Sequence, residues 1–146
     1  GGLWSTARKS AEKYLMLTLC KMYQVEEKYY DASHFVKDKG KKVDREIDFY
    51  LLNNGKEYLC EVKLMGKGNP ESADAIIARD TNVFVADTLS LQNKNQCEQL
   101  NINWIALRDE NGFKRFKIAL EKLGIPHVDY LGDLEIDLPK ILDSLF

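Results

Sequence analysis

The chain has few of the residues that would mark it as secreted, membrane-embedded or disordered. It has three cysteines, Cys20, Cys60 and Cys97, and no two of them stand in a C-x-x-C spacing. An odd, widely spaced set argues against a disulfide framework and against a zinc site. It reads as three small, buried thiols in a reducing cytoplasm. With three prolines, the chain has no Pro-rich linker, and no internal repeat or low-complexity segment interrupts it. No apolar run approaches the ~20 residues that a bilayer span requires, so no membrane partner is expected. No secretory signal is visible. Histidine is nearly absent: His34 and His127 stand alone, with no spacing that suggests a metal site or an acid–base pair. Neither sign of charge dominates, since the net charge is −2.

The 146 residues, 45% hydrophobic and 30% charged, are ordinary for a globular protein and enough for one domain with a real core. A single domain over residues 1–146 is expected. Its Gly1-Gly2 start is what a piece or processed form of a longer chain would show.

The most informative stretch is Ile47-Asp48-Phe49 through Leu59-Cys60-Glu61-Val62-Lys63. From Arg45 to Leu52, Ile47, Phe49 and Leu51 point one way, and Glu46, Asp48 and Tyr50 the other. From Tyr58 to Met65, Tyr58, Cys60, Val62 and Leu64 share an apolar face, with Glu61 and Lys63 opposite. Asn53-Asn54-Gly55 lies between, and Asn-Gly readily takes the positive φ values of a type I′ hairpin turn. A two-residue Asn54-Gly55 loop pairs Asn53 with Lys56. Counting outward, it pairs Asp48 with Glu61 and Glu46 with Lys63. Directly opposed residues have Cβ atoms roughly 4.5–5.5 Å apart, and two carboxylates at that distance repel. A divalent cation between them turns repulsion into binding, and Mg²⁺ takes oxygen ligands of this kind. Ordinary solvated strand carboxylates are the simpler alternative. For Lys63 that alternative is a cross-strand ion pair with Glu46, worth at most ~1 kcal/mol if exposed.

Asp48, Glu61 and Lys63 resemble the Asp-(x)n-Glu-x-Lys signature of the PD-(D/E)XK nuclease superfamily, the fold of type II restriction endonucleases. Ile47 stands where the family often has proline. The run from Glu61 to Ala75 is similar to restriction enzymes of the CfrBI type. The resemblance implies a mixed central β-sheet flanked by helices on both faces. It implies an enzyme that hydrolyses phosphodiester bonds in double-stranded DNA with Mg²⁺, for which Mn²⁺ substitutes. Asp48 and Glu61 would bind the metal, the Val62 carbonyl would add a ligand, and Lys63 would orient the attacking water. Glu12, in Ala11-Glu12-Lys13-Tyr14-Leu15, is similar to the helical glutamate that many members place near the metal. An exposed helix position explains it equally well, and Glu46 is a rival fourth acid. Cutting both strands of a near-palindromic site implies a homodimer. Other readings are a repair nuclease or junction resolvase of the same fold, or a DNA-binding module without turnover.

The charge distribution is compatible with DNA as partner. Residues 1–69 carry 13 Lys/Arg against 10 Asp/Glu, and residues 70–146 carry 8 against 13, so the basic half holds the hairpin. Lys41 and Lys42, in the loop from Lys37 to Arg45, are candidates for the DNA backbone, as are Lys67 and Asn69. Asn69 before Pro70 also reads as an ordinary helix cap. Asn93-Lys94-Asn95-Gln96 has side-chain types that read bases, although a polar helix surface explains it too.

Periodicity independently gives an α/β order. Helices are expected over 4–24, with Ser5 as N-cap, and over 70–80, 91–100 and 113–123, the last ending at Gly124. The stretch from Tyr14 to Tyr23 is apolar almost all round, which suggests burial. Short apolar strands are expected over 82–87 and 102–107, of the kind buried in a parallel sheet. A further strand near His127–Tyr130 and a short helix after Pro139 complete the tail.

Overall fold

In the computed structural model, residues 2–32, 49–64, 80–130 and 132 are described, with only the backbone given for residues 2–10. A long helix, α1 (Gly2–Met22), leads through a 3-10 turn at Glu27–Tyr29 into a two-residue strand, β1 (Tyr30–Asp31). The hairpin follows as β2 (Phe49–Asn53) and β3 (Lys56–Lys63). Then come β4 (Val83–Ala86), α2 (Leu91–Gln99), β5 (Asn103–Ala106) and α3 (Lys114–Lys122). The strands form a five-stranded sheet in the order β1-β2-β3-β4-β5. The β1-β2 and β2-β3 pairs are antiparallel, and β3-β4 and β4-β5 are parallel. Strand β3 is therefore the middle strand and the seam between two halves of a mixed sheet.

The Asn-Gly turn is what the sequence dictates. Asn54 at φ 51° and Gly55 at φ 75° both take the left-handed region that a two-residue hairpin needs. The register follows: Asn53 pairs with Lys56, Leu51 with Tyr58 and Phe49 with Cys60. The outward count is thus correct as far as Phe49. Asp48, Glu46 and Ile47 lie outside the described residues, as do residues 70–79 of the expected 70–80 helix, Lys41, Lys42, Lys67, Asn69, His34 and the helix after Pro139.

Both faces of the sheet are covered. On one face, Phe49, Leu51, Cys60, Val83, Val85 and Ile105 pack against α1 and α3. From α1 come Ala11, Leu15, Met16, Leu19 and Cys20, a helical stripe rather than a full circumference, and Tyr14 on the other side is 62% exposed. The expectation that this half-helix is buried all round is corrected accordingly. From α3 come Phe116, Ala119 and Leu120. On the other face, Phe84 and Ala86 of the sheet meet Cys97 of α2, together with Ile102 and partly buried Trp104. Helix α2, the crossover between parallel β4 and β5, supplies the layer on this second face.

The three α-helices among the described residues end alike. Gln24, Asn101 and Gly124 take positive φ (52°, 57° and 69°). The next amide, that of Val25, Ile102 or Ile125, then donates back to the carbonyl of Cys20, Cys97 or Leu120 at 2.8–2.9 Å. Val25, Ile102 and Ile125 are each buried, which completes Schellman-type stops with an apolar anchor. Only Gly124 announced itself as such a stop in the sequence.

The sequence reading missed β1, whose two residues pair with Leu51 and Tyr50. Two residues show no alternation to detect. Three expectations are corrected. Helix α1 begins at Gly2, so Ser5 lies inside it rather than capping it. Its C-terminus, expected at 24, comes at Met22. There is no strand at His127–Tyr130. Pro126 has no amide to give to a ladder, and Val128 instead donates one backbone hydrogen bond to the Tyr23 carbonyl at 2.7 Å. Among the described residues, no helix is long and apolar enough to cross a membrane.

Candidate active site

Strand β3 sets the direction of the candidate side chains by simple alternation. Cys60 and Val62 face the α1 layer, so Glu61 and Lys63 face the α2 side of the sheet. In the parallel register Glu61 lies beside Phe84 and Lys63 beside Ala86, the two sheet residues of the α2-side cluster. Glu61 is half-buried and Lys63 is exposed. Lys63 forms no ion pair among the described residues, and its expected partner Glu46 lies outside them.

Glu61 is held by a residue that the sequence reading passed over. The Thr81 hydroxyl donates a short hydrogen bond to its Oε1, and Thr81 is itself buried. Thr81 is fixed just ahead of β4 by its neighbour Asn82. The Asn82 amide donates to the Leu59 carbonyl at 2.9 Å, and the Asn82 Oδ1 accepts from the Leu59 amide at 3.0 Å. The available signal was a polar Thr-Asn pair directly before an apolar strand. Thr81→Val is expected to cost about 1.5–3 kcal/mol of stability, the range for a hydrogen bond to a charged group, with Thr81→Ser restoring most of it. Urea unfolding of the two variants reads the difference.

Glu12 is not an exposed helix residue. It is 6% exposed, and its Oε1 accepts a long hydrogen bond, 3.5 Å, from the Leu64 amide. Leu64 follows Lys63, so α1 reaches the end of β3 from the opposite layer and places a carboxylate beside the lysine's backbone. A second buried carboxylate was also missed. Asp87 ends β4, one step beyond Ala86, and is fully buried. Its Oδ1 accepts from the Thr88 amide at 3.0 Å, and its carbonyl accepts from the Arg108 amide at 2.9 Å. The acid that follows the apolar run Val83–Ala86 was its only trace in the sequence.

The three cysteines are free and buried, as their spacing implied. Burial pushes the Cys20 thiol up to about 12. Cys97 is pushed up to about 11, first by burial, then by the negative charges of Glu98 and Glu61, with Arg115 pulling the other way. Cys97 is thus no thiolate ligand at neutral pH, and the Glu61 carboxylate lies within electrostatic reach of α2. His127 contacts the Ile125 carbonyl through Nδ1 at 2.8 Å and meets the Tyr23 ring edge-on, which is a packing role. Among the described residues, no group of three or more His, Cys, Asp or Glu gathers around a common point.

Two carboxylates lie along this strand, Glu61 on the α2 side and Glu12 reaching the Leu64 amide from the α1 layer, and both offer oxygen donors. Hard oxygen donors suit Mg²⁺ or Mn²⁺ and not a thiophilic ion. Of the base-reading run, Asn93 is buried and Lys94 is bound to Asp109 at 2.8 Å. That leaves Asn95 exposed and Gln96 half-buried. Residues 1–94, well over half of the chain, match the family model described as CfrBI restriction endonuclease. No curated protein and no solved structure matches the chain.

Proposed function

Since the chain belongs to the CfrBI restriction endonuclease family, we propose that it is a Mg²⁺-dependent endonuclease of the restriction-endonuclease-like fold, which hydrolyses phosphodiester bonds in double-stranded DNA. The single observation that carries the reading is the register of the hairpin. Phe49 pairs with Cys60, so the next pair outward in this proposal is Asp48 with Glu61, on the face that also carries Lys63. Asp48, Glu61 and the Val62 carbonyl hold the metal. A bound Mg²⁺ supplies charge that polarises the phosphodiester and lowers the pKa of a bound water. Lys63 orients the attacking water and offsets charge on the non-bridging phosphate oxygens. The water oxygen bonds to phosphorus as the P–O3′ bond breaks, which leaves a 5′-phosphate and a 3′-hydroxyl. Thr81 fixes the rotamer of Glu61. Glu12 positions the Lys63–Leu64 backbone from α1, and in this reading it takes the place of Glu46 as the fourth acid.

Lys41, Lys42, Lys67 and Asn69 contact the DNA backbone in this proposal. One chain with one site cuts one strand at a time, so cleavage of both strands of a two-fold-related site requires a C2 homodimer. The test is incubation of the whole chain with varied plasmid DNA and Mg²⁺ or Mn²⁺, followed by sequencing of the ends. Discrete ends bearing 5′-phosphate, abolished by EDTA, are expected. Intact plasmid with both ions would remove the assignment.

A further inference from the structure

Helix α2 carries an uncharged amide stripe that neither the core nor the candidate site uses. Its buried side is Asn93 and Cys97. One flank is committed to the β5 side through its charged residues. Lys94 binds Asp109 at 2.8 Å. Glu98 accepts from Trp104 Nε1 at 2.8 Å and pairs with Arg115 at 3.6 Å. Arg115 in turn stacks on the Trp104 ring, 3.5 Å from its centre. The remaining arc holds Gln92, Asn95, Gln96 and Gln99, spaced i, i+3, i+4 and i+7, on one helical face. Leu91, 74% exposed, stands at its head. These five residues line a groove of about 540 Å³.

Position connects this stripe to the site. Cys97 of α2 packs on Phe84 of β4, the register neighbour of Glu61, and the charged flank of α2 turns to Trp104 of β5, so the amide flank lies away from β5. Helix α2 is thus on the sheet face that carries Glu61 and Lys63, and the Cys97 thiol senses the Glu61 charge. Four carboxamides on one arc offer paired donors and acceptors with no charge to attract or repel phosphate. Asn and Gln bind adenine bidentately through N6 and N7 in the major groove, and an exposed aliphatic group matches the thymine methyl. An α-helix fits that groove.

We propose that the outer face of α2, Gln92, Asn95, Gln96 and Gln99 with Leu91, is the base-reading surface of this protein, set against A·T pairs in the major groove of the DNA held at β3. The inference rests on the nuclease reading for its ligand but is tested without turnover. Selection from a randomised duplex library is run in Ca²⁺ on the whole chain, for the unaltered protein, the Gln92→Ala/Asn95→Ala/Gln96→Ala/Gln99→Ala variant and Lys63→Ala. Alanine is the best helix former, so the fourfold variant keeps α2 folded, which circular dichroism checks. The unaltered protein and Lys63→Ala are expected to enrich the same A·T-containing motif. The fourfold variant should discriminate less at its A·T positions, by about ten- to hundredfold for each bidentate amide–adenine pair removed. An identical motif at identical affinity in the fourfold variant overturns the proposal, and so does an unaltered protein that enriches no motif. Motif enrichment without cleavage in Mg²⁺ or Mn²⁺ removes the nuclease reading alone and leaves α2 as the reading helix.

Discussion

Lys63→Ala is expected to slow Mg²⁺-dependent DNA cleavage roughly 10²–10⁴-fold, the usual worth of a positioned acid–base group. The thermal midpoint should stay where it was. Lys63 is exposed, and exposed substitutions usually change stability by within about 0.5 kcal/mol. Single-turnover cleavage of a mapped site measures the rate, and calorimetry with Mg²⁺ or Mn²⁺ separates the roles. Lys63→Ala should still bind the ion, since the proposed ligands are oxygens of other residues. Glu61→Ala should not. Full activity in Lys63→Ala would sink its assignment, and an unaltered protein that binds no ion at all would favour a DNA-binding module without turnover.

The second large effect falls on stability. Phe49 is fully buried and stacks on Tyr30, with ring centres 5.5 Å apart and planes at 14°. It is the first described residue after Asp48, and it pairs with Cys60 in the hairpin. Phe49→Ala is expected to cost about 3–5 kcal/mol and to lower the melting midpoint by on the order of 10 °C. Phe49→Leu should recover more than half of that stability, because it refills most of the cavity. A scanning calorimetry trace of both variants decides it. A midpoint unchanged in Phe49→Ala would mean that this residue does not hold the hairpin in place.

How much of this molecule could be read from its sequence depends on the range of each signal. The hairpin register was legible over its described pairs, from Phe49–Cys60 to Asn53–Lys56, because a turn of two left-handed residues fixes pairing locally. The strands Val83–Ala86 and Asn103–Ala106 and the helices Leu91–Gln99 and Lys114–Lys122 appeared within one or two residues of their expected ends, because their apolar patterns are continuous. Long-range partners were not legible. Thr81 reaches Glu61 from 20 positions away, and Glu12 reaches Leu64 across 52. No local pattern encodes either. Gln24 and Asn101 stop helices without glycine, so composition offered no cue to them. Glu61, Lys63 and Glu12 were all named from the sequence as candidates, while the structure added the Thr81 hydroxyl on Glu61 and the reach of Glu12 to the Leu64 amide. Asn93 and Lys94 show the reverse case. Both have side chains that suit a base edge, yet the fold commits one to the interior and one to Asp109.

Strand β3 is hydrogen-bonded to a neighbour on each side, one antiparallel and one parallel. Local opening of a native protein starts at frayed ends and sheet edges, and interior strands open last. The two-residue edge strand β1 can therefore peel away, and β5 can fray, before Glu61 and Lys63 change their spacing.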